Sequence, residues 1–183
     1  MSEPRTVEDL VALEHHGEER EYLYFWGHQP LASGEIGPSC LSQWWESDFV
    51  VDGITYRSAE HWMMASKARL FGDEESLAAI IDAPHPKDAK ALGRAVRGFD
   101  DRLWLARRFD IVVDGSVAKF GQDVALRKFL LGTGSHVLVE ASPVDRIWGI
   151  GLIAEDDRAR RPSSWCGLNL LGFALMEARS RLG

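Results

Sequence analysis

Cysteine is scarce in this 183-residue sequence: it has only Cys40 and Cys166, which make neither a disulfide framework nor a four-ligand zinc site. No apolar run approaches membrane-spanning length, and the opening MSEPRTVEDL lacks the basic-then-apolar form of a secretory signal. The expected setting is a reducing cytoplasm, with no membrane contact and no obligate protein partner. Positive charge is not in excess either, since 21 Lys and Arg against 28 Asp and Glu leave a formal net charge of −7. Any phosphate recognition must therefore be local, without a global attraction to nucleic acid. Three nucleotide and acyl-transfer signatures are missing as well: G-x-S-x-G, the phosphate-binding loop and the dinucleotide fingerprint.

What is present is enough apolar residue, 45%, for one sizeable core, with no repeat, low-complexity tract or linker to divide it. Residues 1–183 are expected to form a single domain, its core from about 22 to 182 after a short N-terminal helix. Thr6 followed by VEDLVAL reads as a capped amphipathic helix, and EYLYFW as a strand. DFVVDGITY alternates about Asp52-Gly53, a hairpin signal. Ser58 can cap a helix reaching Phe71, with Gly72 ending it. Helices over about 74–82 and 87–97 follow, the second opened by Pro86. A long helical region over 101–131 is expected to break near Asp114-Gly115 or Gly121. HVLVEAS is a buried strand, PVDRIWGIG a loop, and LNLLGFALMEARSRL a closing helix. The pattern predicts a helix-rich α+β domain with a small sheet.

The chemistry concentrates in YRSAEHWMMASKARLFGD. At about 100° per residue, Glu60, Met64, Lys67 and Phe71 share one stripe of that helix. Glu60 and Lys67 then lie roughly 10 Å apart along the axis, too far to pair but able to flank one ligand. A solvated face with Glu60 near the positive helix end explains the pair equally simply. Trp62, Met63 and Met64 beside it favour a carboxyl of raised pKa, suited to acid–base work. A second candidate is VEASPVDRIWGIG, where a strand ending in Glu140 runs into Asp145, Arg146 and Trp148. Gly149 and Gly151 would let backbone N–H groups approach a ligand, although an ordinary Asp-Arg turn fits too. Lys87, Lys90, Arg94 and Arg97 form a basic stripe over 87–97, read either as a phosphate cradle or as a solvated face, with Arg94 set apart by Gly93. Asn169 either holds a substrate oxygen or caps the last helix. His61 has no partner ligands for a metal. Two carboxylates, one lysine and seven Trp suit glycosidic chemistry better than acyl or phosphoryl transfer.

Several segments together, FWGH, CLSQWW, VDGITYRSAEHWMMASKARLFGD, LGRAVRGFD, VAKF, LVEASPVDRIWGIG and WCGLNLLGFALMEARSRL, resemble the NADAR family, named for a proposed link to NAD and ADP-ribose. The similarity runs from about Tyr22 to Leu182 in the family's order. It implies an α+β N-glycosidase fold with no metal and no organic cofactor. It also implies one of two substrates: ADP-ribose on guanine bases of single-stranded DNA, or a phosphoribosylated pyrimidine intermediate of riboflavin synthesis. A third possibility, from another class, is a non-catalytic ADP-ribose or NAD reader. By position, the resemblance puts the catalytic acids at Glu60 and Asp145 and the helix lysine at Lys67. Trp26, Ser42, Trp44, His61, Trp62, Arg94, Trp148, Gly149 and Asn169 fall at expected substrate contacts. Many relatives carry S-N-F/Y where this chain has Ser42-Gln43-Trp44.

Overall fold

A computed structural model of the chain describes residues 3–183. Helix α1 (Val7–His15) begins with reciprocal bonds: Thr6 Oγ1 accepts the Asp9 N–H at 3.1 Å, and the Asp9 carboxylate accepts the Thr6 N–H at 3.0 Å. The expected strand at EYLYFW is β1 (Tyr22–Phe25). The hairpin comprises β2 (Glu46–Val51) and β3 (Ile54–Ser58), turning through Asp52 at φ 51° and Gly53 at φ 77°. Both residues are left-handed, the twist that a two-residue Asp-Gly turn supplies. The buried strand β4 (Val137–Glu140) pairs parallel with β1, Tyr22 opposite Val137 and Phe25 opposite Glu140. The expected sheet is thus two separate two-stranded pairs, β1–β4 and β2–β3. A parallel pair needs a crossover, and here most of the helices lie inside it.

Central among them is α2 (Ala59–Leu70), which leaves β3 directly, with Ser58 as its cap and buries Glu60, His61, Met63, Met64, Ala65 and Ala68. Around it pack α3 (Glu74–Asp82), α4 (Pro86–Arg94) and α5 (Asp101–Gln122). The closing helix α7 (Leu170–Leu182) covers α5 and β4. One continuous apolar core links Leu10 of α1 to Met176 of α7. No helix among the described residues is long and apolar enough to cross a membrane.

One boundary differs from the sequence expectation, and one of the two offered breaks is taken. The long helical region runs unbroken through Asp114-Gly115 and breaks near Gly121, where α5 ends at Gln122 and Asp123 caps α6 (Val124–Gly132) through the Ala125 and Leu126 N–H groups. Gly115 serves packing instead, because a Cβ there would stand 2.2 Å from Trp62 Cδ1 of α2. Helix α4 stops at Arg94 rather than 97, since Asp73 captures the Arg97 N–H at 2.9 Å and its guanidinium at 2.7 Å. Arg97 therefore leaves the basic stripe.

Candidate active site

Four segments meet over the first turns of α2. The 42–44 turn is stitched to it by the Glu60 N–H, which donates to the Gln43 carbonyl at 2.9 Å. From beneath, the buried Lys119 of α5 donates to the carbonyls of Cys40 at 2.7 Å and Ser42 at 2.9 Å. Helix α4 crosses α2 at Gly93, where a Cβ would lie 2.0 Å from Met64 Sδ. That close crossing carries Lys90 and Arg94 to the stripe holding Glu60 and Lys67. The fourth segment is the loop after β4. Asp145 Oδ1 accepts the N–H groups of Ile147 at 2.8 Å and Trp148 at 2.7 Å, and the Glu140 carbonyl accepts Ile150 N–H at 2.9 Å. The loop thus folds back on the carboxyl end of β4.

Between these segments lies a cavity of about 750 Å³, within the range of small-molecule sites. Its walls include Glu60, Lys67, Lys90, Arg94, Glu140 and Asp145, together with Ser42, Gln43, Trp44, Met63, Met64, Trp104, Arg146 and Trp148. Glu60 is almost wholly buried, and its Oε1 has no hydrogen-bond partner in the protein. Burial pushes its pKa up to about 7; Lys90, the Trp44 side chain and Arg94 oppose the rise, and Asp145 adds to it. Glu140 is only half-buried as a residue because part of it opens into the cavity, yet its Oε2 is sealed and unpartnered. Burial, with Asp145 and Glu60 nearby, pushes it up to about 8 against the pull of Lys90. Lys67 Nζ donates to the Gly93 carbonyl at 2.7 Å and stands 4.4 Å from the Phe99 ring centre and 5.7 Å from that of Trp104. Burial lowers its pKa, with Asp101 acting in the opposite direction. Among the described residues no cluster of His, Cys, Asp and Glu is arranged to hold a metal ion.

Of the residues singled out from sequence, Glu60, Lys67, Asp145, Ser42, Trp44, Arg94 and Trp148 line this cavity. The other five do not. His61 is buried, with Nδ1 2.7 Å from Ser58 Oγ and Nε2 3.1 Å from the Ala83 carbonyl, so it ties α2 to the end of α3. Trp62 points to the opposite side of α2, donating to the Ile111 carbonyl at 2.7 Å and packing edge-on to Tyr56. Trp26 is 58% exposed and outside the lining. Gly149 does allow a close approach, but to the protein itself: a Cβ would meet the Glu140 carbonyl at 2.7 Å. Asn169 takes the N-cap position of α7 without a side-chain capping bond, and it does not line the cavity. Fully buried at φ 51°, it accepts the Glu140 N–H at 3.0 Å and donates to the Leu138 carbonyl at 2.9 Å, extending the edge of β4. Gln43, Trp104, Val144 and Leu171 line the cavity without being singled out in the sequence, and Glu140, read there only as the end of a strand, joins the site itself. Glu140 had one legible signal, as the charged end of an apolar strand, where open α/β sheets commonly place ligands.

Residues 24–183 match the family model described as the NADAR domain. A relative named N-glycosidase R617, from Acanthamoeba polyphaga mimivirus, is 41% identical over 164 residues, covering 87% of this chain and 95% of its own. The maize protein named riboflavin biosynthesis protein PYRR, chloroplastic, is 30% identical over 72% of this chain but only 20% of its own length. Among solved structures, the NMR structure of the E. coli protein YbiA superposes with a TM-score of 0.68 at 26% identity. The match covers 90% of this chain and 86% of that one.

Proposed function

This chain belongs to the NADAR domain family, and on that premise we propose that it is an N-glycosidase that removes ADP-ribose from guanine bases in DNA. The observation that carries the reading is the pair of sealed carboxyls, Glu60 and Glu140, each with an oxygen lacking any partner and both in the wall of one cavity with Lys67 and Asp145. Unpaired buried carboxyl oxygens are costly to stability, and a site that moves protons gives them a use. A non-catalytic reader would need the aromatic and cationic walls but not these acids.

Breaking a ribosyl C1–N bond builds positive charge on the sugar and requires a proton for the departing nitrogen. Glu60, poised near neutrality, is the proton-handling carboxyl. Asp145, fixed by two backbone N–H groups, sets a carboxylate where the cationic ribose can be steadied. Lys67 supplies an amine that can trap the C1 aldehyde of an opened sugar. Lys90 and Arg94 meet phosphate, and Trp44, with the Lys90 ammonium 5.6 Å from its ring centre, offers a face for a base.

A cavity of this volume favours a ligand larger than one phosphoribosyl group. The second reading, cleavage of phosphoribosylated pyrimidine intermediates, is favoured by the maize relative, whose name places it in riboflavin biosynthesis. Competition separates the two. Free ADP-ribose is expected to inhibit turnover of an ADP-ribosylated oligonucleotide at least about tenfold more strongly than ribose 5-phosphate, since 1.4 kcal/mol from adenine and diphosphate contacts suffices. Equal inhibition by both would support the smaller substrate. The acidic balance of the chain limits contact to the adduct and a few flanking nucleotides, so the log–log salt slope should have a magnitude of about 3 or less.

A further inference from the structure

The division of labour above leaves Glu140 without a task, although its carboxyl lines the same cavity as Glu60. We propose that Glu140 is the general acid of the reaction, giving its proton to the departing nitrogen while Glu60 accepts the proton of the attacking water. The proposal rests on the N-glycosidase reading and assigns the two proton transfers within it.

Three observations support the assignment. Glu140 is the last residue of β4, and its backbone is held on both sides: Asn169 Oδ1 accepts its N–H at 3.0 Å, and Ile150 N–H donates to its carbonyl at 2.9 Å. The Cα–Cβ direction is therefore fixed toward the cavity at the carboxyl end of a strand, and a group placed by strand geometry is held more tightly than one on a free loop. Next, one carboxyl oxygen is sealed and unpartnered while the residue still reaches the cavity, a state that strongly disfavours the anion and suits the neutral acid. Last, the neighbours push the same way. Glu60 of α2 and Asp145 of the following loop both oppose ionisation of Glu140, and Lys90 of α4 pulls against them. Arg94 of α4 and Arg146 of the loop complete the charged lining. Burial raises both carboxyls, but Glu140 has two acidic neighbours, Asp145 and Glu60, against the single cation Lys90, whereas Glu60 faces Lys90, Arg94 and the Trp44 side chain, so the surroundings favour the neutral acid at Glu140 and the carboxylate at Glu60. Two carboxyls in one cavity whose neighbours differ in this order are the arrangement in which one serves as acid and the other as base.

The step balances. The C1–N bond breaks with its electron pair moving onto nitrogen, which takes the Glu140 proton. Lys67 holds C1 of the opened ribose as an imine, and water adds to that carbon, loses a proton to the Glu60 carboxylate and returns the Lys67 amine as the aldehyde forms. Exchange with solvent then reprotonates Glu140 and deprotonates Glu60.

The test compares Glu140→Gln and Glu140→Asp with wild type, all first shown to fold by circular dichroism. On an ADP-ribosylated guanine oligonucleotide, Glu140→Gln is expected to lower kcat about 10²-fold with KM within about twofold, and to erase the alkaline limb of the kcat–pH profile. Glu140→Asp, which restores an acid, should recover part of the rate and bring the alkaline limb back. A second substrate sharpens the result: an ADP-ribosyl pyridinium such as NAD releases a neutral base and needs no proton. Glu140→Gln should cleave it within about threefold of wild type. Equal losses on both substrates, or an alkaline limb that persists in Glu140→Gln, would overturn the assignment. If wild type cleaves neither substrate, the ADP-ribosyl-guanine reading fails, and this assignment, which rests on it, fails with it.

Discussion

Glu60→Gln is expected to lower kcat about 10³-fold while making the protein more resistant to unfolding above neutral pH. The rate effect follows from removing the carboxyl that handles the reaction's proton, an effect of roughly 10² to 10⁴ where such groups have been removed. The stability effect follows from the same burial. An ordinary glutamate near 4.5 is raised to about 7 here, so between those values the folded protein holds a proton that the unfolded chain has released. Stability therefore falls as pH rises from 4.5 to 7 and stays lowered above that. Glutamine does not titrate, so the variant escapes a cost of up to about 3 kcal/mol at pH 8 and gains nothing at pH 4. Thermal melts at both pH values, beside the rate, check the two halves together. Retention of more than about a tenth of the wild-type rate, a loss below 1.4 kcal/mol, would remove Glu60 from the proton transfers.

Lys67→Arg is expected to cost about 10³ in rate and to abolish a covalent adduct that wild type forms. The Lys67 amine lies in the cavity wall with its Nζ bonded to the Gly93 carbonyl and its charge faced by the rings of Phe99 and Trp104. Burial makes it easier to deprotonate, which is what an amine attacking an aldehyde carbon needs. Borohydride added during turnover should then fix a mass of ADP-ribose on Lys67, located by peptide mass spectrometry. Arginine keeps the positive charge but forms no imine. A fully active Arg variant would reduce Lys67 to an electrostatic role.

Much of the fold was legible because its local signals are strong. Asp52-Gly53 marks the hairpin, Ser58 and Pro86 open helices, and the apolar run of β4 needs no partner to be recognised. What failed depended on contacts distant in sequence. Gly115 reads as a helix breaker until Trp62 is seen lying against it, and α4 reads as longer until Asp73 is seen holding Arg97. The site divides in the same way. Glu60 and Lys67 were placed together by helical period alone, and the period holds. The resemblance puts His61 and Trp62 at substrate contacts, but successive residues turn about 100° around a helix, and both face away from the cavity. Asn169 was read as a ligand contact or a cap, whereas its amide acts on the backbone of β4. Glu140 stayed out of the site because only the tertiary fold shows that the end of β4 opens beside α2.

The most direct test of the central claim is the mass of the oligonucleotide left after wild-type protein acts on a single-stranded DNA carrying one ADP-ribosylated guanine, with a phosphoribosylated aminopyrimidine offered in parallel. The account predicts an oligonucleotide returned to its unmodified mass and free ADP-ribose in equal amount. An oligonucleotide left untouched while the pyrimidine substrate is cleaved would contradict it, as would a product still carrying a phosphoribosyl group.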